Sequence, residues 1–148
     1  MEPKFLRRLN IEYKKIAENP NSPYKVELVN GNIQDWRVQI KCPDDTPYQG
    51  LTFVLRITIP NGYPFDIPTF NFESKVFHPN VFENGNICLD VIKRESYSAA
   101  SSMEARIDNI VLLLQEPNCN SPANSVASSL WGKPGFKKAM LHYMKWRV

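Results

Sequence analysis

Residues 36–59 read WRVQIKCPDDTPYQGLTFVLRITI. Apolar residues alternate with polar ones on both sides of a turn-rich centre. Trp36, Val38 and Ile40 lie before it; Leu51, Phe53, Leu55, Ile57 and Ile59 lie after it. A period of two marks a strand that buries one face. The centre, CPDDTPYQG, holds prolines, aspartates and a glycine, which interrupt a ladder and turn the chain. Two antiparallel strands joined by an ordered connection therefore seed the fold.

Further strands flank this pair. Upstream, Asn30-Gly31 is a strong hairpin signal, and Lys25 to Val29 supplies the strand before it. Downstream, Thr69 to Val76 fits a fourth strand, with Phe70 and Phe72 on one face. Four strands joined by turns predict an antiparallel meander with one face on a core. At the start of the chain, Leu6, Leu9, Tyr13 and Ile16 recur at helical spacing, with Pro3 in the first turn. Lys4, Arg7, Arg8, Lys14 and Lys15 take the opposite face, and Asn19-Pro20-Asn21-Ser22-Pro23 ends the helix.

Past residue 76 the strand signals stop. His78 to Lys93 reads as an ordered irregular stretch of the kind that carries function on a scaffold. Met103, Ile107, Ile110, Val111 and Leu114 predict a second, central helix that ends at Glu116-Pro117-Asn118. Ser125 to Trp131 makes a short helix. Gly132-Lys133-Pro134-Gly135 then breaks the chain before a last basic helix through Phe136, Met140 and Tyr143. The fold class is α+β: one helix, a four-stranded meander, a long loop, then a central and two C-terminal helices. It is expected as one domain over residues 1–148, without a long extension at either end.

A chain of 148 residues buries about two thirds of its extended surface, and an apolar fraction of 43% fits a compact globule. The longest aliphatic run, Ile110 to Leu114, is far short of the about twenty residues that span a bilayer. Charges interrupt the apolar positions near the N-terminus, so no signal peptide is expected. Cys42, Cys88 and Cys119 are odd in number and lack framework or metal-site spacing. Free thiols in a reducing compartment, cytoplasm or nucleus, are the expectation, with no metal site. The net charge of +3 is uneven: residues 1–16 carry five bases and two acids, and residues 132–148 carry five bases and no acid. Water, an acidic protein surface or nucleic acid could face these ends. No basic-aromatic module accompanies them, which argues against nucleic acid.

The chemistry concentrates in Lys75 to Val91, KVFHPNVFENGNICLDV. A base-activated thiol needs a histidine beside the sulfur. The candidates are His78, which precedes a proline in a loop, and His142, on the basic last helix. Neither makes a convincing dyad with Cys88. Two readings remain open on chemistry alone: an ordinary half-buried thiol, or a thiol loaded by thioester exchange. The second needs an exposed sulfur, a donor near the tetrahedral oxyanion and a place for the attacking amine. Asn80 offers a neutral amide at loop distance.

Four stretches carry a resemblance to a known family: CPDDTPYQG (42–50), IPNGYPFDIP (59–68), FHPNVFENGNICLDV (77–91) and EPNCNSPAN (116–124). The chain resembles the ubiquitin-conjugating enzymes over its whole length, most specifically through His78-Pro79-Asn80 with a cysteine eight residues after Asn80. The resemblance implies that Cys88 accepts ubiquitin from an activating enzyme as a thioester and passes it to a substrate lysine, with or through a RING- or HECT-type ligase. Asn80 would stabilise the oxyanion or hold the active-site loop. His78 and Pro79 would fix that loop, and Asp90, Tyr97 and Ser121 would support the site. Lys4, Arg7, Arg8, Lys14 and Lys15 would face the activating enzyme. Arg8, Ile59, Pro60, Asn61, Ala99 and Ala100 would form a ligase surface, with Ile59 where many members place an aromatic wedge. No cofactor is implied, since the activating enzyme uses the ATP. Expected partners are ubiquitin, that enzyme, a ligase and substrate proteins, with neither nucleic acid nor membrane, and the chain is expected to be monomeric. The competing reading keeps the fold without the chemistry, as an adaptor that binds ubiquitin or a catalytic partner.

Three departures from the family stand out. Tyr97 and Ala99 replace a usual tryptophan and proline in the second ligase loop, and proline's loss loosens such a loop. Residues 101–106 lack the usual aliphatic start to the next helix. Ser121 replaces an aspartate that many members direct at the cysteine, a change read as tuning rather than inactivation.

Overall fold

The computed structural model describes residues 1–88, 92, 98–120 and 122–145. Helix α1 spans Pro3–Ala17, with proline in its first turn, where a missing N–H costs nothing. Leu9 and Ile16 are buried, and Tyr13 meets Trp36 edge-on at 5.3 Å between ring centroids. Leu6, expected on the inner face, lies at its rim and is exposed.

Strands β1 (Tyr24–Val29), β2 (Asn32–Lys41), β3 (Thr52–Thr58) and β4 (Thr69–Phe72) form the predicted antiparallel meander in the order β1-β2-β3-β4. Asn30 and Gly31 both take positive φ, 53° and 70°, which a tight two-residue hairpin requires. The register pairs Trp36 with Ile57, Val38 with Leu55 and Ile40 with Phe53, so the inward positions stack as one apolar layer. The outer face carries a charge ladder in which Arg56 meets Asp35 at 2.5 Å and Arg37 meets Glu73 at 2.6 Å. β4 stops four residues before the expected Val76. Beyond Phe72, Glu73 N–H donates to Val54 C=O, but Val54 N–H donates to the Ser74 hydroxyl instead of a backbone carbonyl. That side-chain bond ends the ladder.

Helices α2 (Met103–Gln115), α3 (Ser125–Leu130) and α4 (Phe136–Lys145) follow as predicted. Ser102 and Asn124 cap α2 and α3 by accepting the N–H groups of Ala105 and Ala127. α2 buries Met103, Ile107, Ile110, Leu113 and Leu114, together with one charged residue, Arg106. The connection between β2 and β3 turns inward through Tyr48. Its fully buried ring contacts Phe53, His78, Trp131 and Phe136, and its hydroxyl donates to Phe77 C=O at 2.6 Å. This aromatic cluster is the floor on which the functional loop rests. None of the described helices is long and apolar enough to cross a membrane.

Candidate active site

The loop from Phe77 to Cys88 has almost no ladder of its own and is held by hydrogen bonds to distant segments. His78 is fully buried. Its Nδ1 accepts the N–H of Asn80 at 3.0 Å, so the ring proton sits on Nε2, which donates to Leu113 C=O at 2.6 Å. That carbonyl belongs to the last turn of α2, where helical partners run out. Burial holds the imidazole neutral and brings its pKa down to about 4, against a smaller opposing effect from the bond to Leu113. With both ring nitrogens committed, His78 is a strut and not a base for Cys88.

Pro79 C=O accepts the N–H groups of Ala123 (2.7 Å) and Asn124 (3.1 Å). The fully buried Asn80 carries the third attachment. Its Nδ2 donates to Asn118 C=O at 2.6 Å and its Oδ1 accepts Asn118 N–H at 2.8 Å. Its own carbonyl accepts Cys88 N–H at 2.9 Å. One asparagine thus joins the residue at the cysteine to the segment of residues 116–120. Gly85 turns the loop back at φ 91°, with its carbonyl accepting Phe72 N–H at 2.8 Å. A Cβ there would stand 2.0 Å from the Phe72 oxygen, so glycine is required by space as well as by φ.

Cys88 itself is half-buried, directly after the buried Ile87. The other two thiols differ from it and from each other. Cys42 is buried, and burial pushes its pKa up to about 12, which makes it inert. Cys119 is exposed.

The expected surface residues divide. Lys4, Arg7, Lys14 and Lys15 are exposed along α1. Arg8 is not free on that face: it is half-buried, bonded to Glu12 (3.3 Å) and donating to Ser101 C=O (2.9 Å). Pro60, Asn61, Ala99 and Ala100 are at least partly exposed. Ile59 is the clear correction. It is 2% exposed, its N–H donates to Gln34 C=O, and its side chain joins the core as the next inward position after Ile57. The accessible aromatic of that loop is Phe65, 65% exposed and edge-on to Phe5 at 5.4 Å. The resemblance gives Tyr63-Pro64-Phe65 a shaping role before the fourth strand and does not count Phe65 in the ligase surface, although an aromatic between Pro64 and Asp66 in a loop has no periodic element to bury it. Asp90, Tyr97 and Ser121 lie outside the described residues.

A family model described as ubiquitin-conjugating enzyme matches residues 8–144. The chain belongs to the ubiquitin-conjugating enzyme family. It is 33% identical over 144 residues to a ubiquitin-conjugating enzyme E2 of African swine fever virus, covering 93% of this chain and 66% of that protein. It is 40% identical over 125 residues to ubiquitin-conjugating enzyme E2 1 of Caenorhabditis elegans, covering 84% of this chain and 65% of that protein. The chain thus spans about two thirds of the length of these two relatives. A solved E2 domain of a Toxoplasma gondii ubiquitin conjugating enzyme superposes with a TM-score of 0.82 at 30% identity, covering 95% of this chain and 97% of the other. The helix, meander, central helix and C-terminal helices derived above are this family's fold.

Proposed function

We propose that this conjugating-family chain is catalytically active, with Cys88 as the acceptor of ubiquitin. The Cys88 thiolate attacks the carbonyl of ubiquitin's C-terminal glycine on the activating enzyme, forming a new thioester and releasing that enzyme's thiol. A substrate lysine, as free amine, then attacks the same carbonyl. The tetrahedral intermediate collapses to an isopeptide, expels the Cys88 thiolate and gives up the amine's proton. The observation that carries this reading is a half-exposed thiol on a loop pinned through His78, Pro79 and Asn80 to the ends of two helices. Thioester exchange stores its own driving force, so such a site needs placement more than acid–base machinery. The two-way bond between Asn80 and Asn118 supports the loop-holding role for Asn80 over the oxyanion role.

The exposed cations of α1, Lys4, Arg7, Lys14 and Lys15, are the contact for the activating enzyme. The ligase surface comprises Phe65 in place of Ile59, with Pro60, Asn61, Ala99 and Ala100. Arg8 acts behind that surface. A RING- or HECT-type ligase is the partner there, and the three free cysteines suit a cytoplasmic or nuclear setting.

The test mixes the chain with ubiquitin, activating enzyme and ATP and compares non-reducing with reducing gels. The expected result is one ubiquitin mass, removed by thiol, lost in Cys88→Ala and kept in Cys119→Ala. An adduct that survives in Cys88→Ala and disappears in Cys119→Ala would move the acceptor. No adduct with ubiquitin or with any other modifier and its own activating enzyme would favour the adaptor.

A further inference from the structure

An arginine that is 3% exposed, five residues past the segment 98–101 that bears part of the ligase surface, is not explained by the chemistry above. Arg106 stands on the buried face of α2 among Met103, Ile107 and Ile110. A guanidinium taken out of water must find hydrogen bonds, and its bonds show where it acts. Its Nη2 donates to Ser98 C=O at 2.9 Å and to Ser101 C=O at 3.4 Å. Arg8 reaches the same Ser101 carbonyl from α1 at 2.9 Å. Both guanidinium groups lie over the Tyr63 ring, 5.4 Å (Arg8) and 5.7 Å (Arg106) from its centroid, within cation–π range. The Tyr63 hydroxyl donates to Glu12 at 2.6 Å, and Glu12 pairs with Arg8. Four segments therefore meet on one tyrosine ring: α1, the loop before β4, residues 98–101 and α2.

The segment 98–101 is a turn closed on itself, with Ser101 N–H donating to Ser98 C=O at 3.0 Å and Ala100 N–H donating to the Ser98 hydroxyl at 3.2 Å. It presents Ala99 and Ala100 outward. No proline stiffens this turn, which reads Ser98-Ala99-Ala100-Ser101, and α2 opens Met103-Glu104-Ala105-Arg106. We propose that Arg106 is a positioning residue for ubiquitin transfer, bracing the proline-free turn of residues 98–101 from inside the fold. This rests on the reading of Ala99 and Ala100 as part of a ligase surface. The chain gives up an apolar core position on α2 and obtains a charge-assisted clamp on two carbonyls. Arg8 and Tyr63 join that clamp to α1 and to the loop that bears Phe65.

Arg106→Met, Arg106→Lys and the double variant Arg106→Met with Ala99→Pro test the proposal. Amide hydrogen exchange is followed across the chain. The second readout is the rate at which a series of RING domains accelerates discharge of the ubiquitin thioester to free lysine. In Arg106→Met, exchange at Ala100 and Ser101 should quicken by about tenfold, the cost of one charge-assisted hydrogen bond, while the sheet keeps its protection. The apparent KM for a stimulating RING domain should rise by a similar factor, with the rate at saturating RING retained. Arg106→Lys keeps one donor and should fall between. Proline at position 99 should restore protection of the segment. Wild-type protection at Ala100 and Ser101 in Arg106→Met overturns the brace. So does equal loosening of the whole chain, or a proline that restores nothing. A wild-type chain that no RING domain stimulates overturns the ligase surface instead, and the exchange data then decide the brace alone.

Discussion

Replacing Asn80 with alanine separates the two roles that its family position allows. The side chain is fully buried and makes two bonds to one residue, at 2.6 Å to the Asn118 carbonyl and 2.8 Å from the Asn118 N–H. Alanine removes both and strands two backbone groups in a partly buried place. Each lost bond is worth about 1 kcal/mol net, and a stranded polar group adds about 1–3 kcal/mol where water cannot reach it. Two lost bonds with at most one stranded group out of reach of water give a loss of about 2–5 kcal/mol, equivalent to about 6–15 °C in Tm for a domain of this length. The backbone bonds from Asn80 to His78 and Cys88 need no side chain, so thioester formation should persist. Urea denaturation gives the stability, hydrogen exchange at Asn118 reports the clamp, and single-turnover discharge to free lysine reports the chemistry. Asn80→Asp keeps the acceptor for Asn118 N–H but sets an oxygen against the Asn118 carbonyl, so it should not rescue stability. Stability within about 0.5 kcal/mol of wild type, with Asn118 still protected and discharge abolished, would falsify the clamp and establish the oxyanion role.

Four further outcomes follow from the structure. His78 is held neutral with its pKa lowered from 6.5 to about 4, so protonation favours the unfolded chain. Its contribution is complete above pH 6.5 and is lost as pH falls toward 4, about 3 kcal/mol in all. Urea midpoints should slope across that window, and a flat profile there would remove His78 as its source. Ile59→Ala, a core deletion, should cost about 2–5 kcal/mol without selectively impairing any ligase. Phe65→Ala should change stability by no more than about 0.5 kcal/mol yet weaken RING-stimulated discharge; reversed phenotypes would reinstate Ile59 as the docking residue. Gly85→Ala drives a Cβ to within 2.0 Å of the Phe72 oxygen at a φ that alanine resists. It should destabilise the chain by more than about 1 kcal/mol and slow thioester formation, as unfolding and charging assays would show.

The strands were readable because each buries one face, so alternation states both the element and the side of the sheet. The same alternation ran through Ile57 to Ile59 and placed Ile59 inside, where the structure has it. The family analogy pulled it outward, and local periodicity was the better guide. Arg106 was unreadable for the opposite reason. A cation among apolar residues on a helix reads as an interruption of the buried face, and the two carbonyls that make its burial tolerable lie in a turn with no pattern of its own. Cys88, Asn80 and His78 were visible as residue types. The partners of His78, Asn80 and Pro79, namely Leu113, Asn118 and Ala123, are 35 to 44 positions along the chain, a distance over which no local pattern carries information. Of the supporting residues that the resemblance implies, Asp90, Tyr97 and Ser121 fall outside the described residues.

The attachments at His78, Pro79 and Asn80 also set which parts of the chain can change length. Leu113, Asn118 and Ala123 are reached by three consecutive residues of one loop, so the spacing from the end of α2 to the start of α3 works as a ruler. Inserting or deleting a residue between positions 113 and 123 moves at least one partner out of reach and shifts the platform under Cys88. The hairpin tip at Asn30-Gly31 has no such obligation, since both residues are exposed and, among the described residues, no hydrogen bond ties them across the fold. Peptide tags or affinity handles belong there, and length variation among relatives that conserve the chemistry should collect outside the ruler.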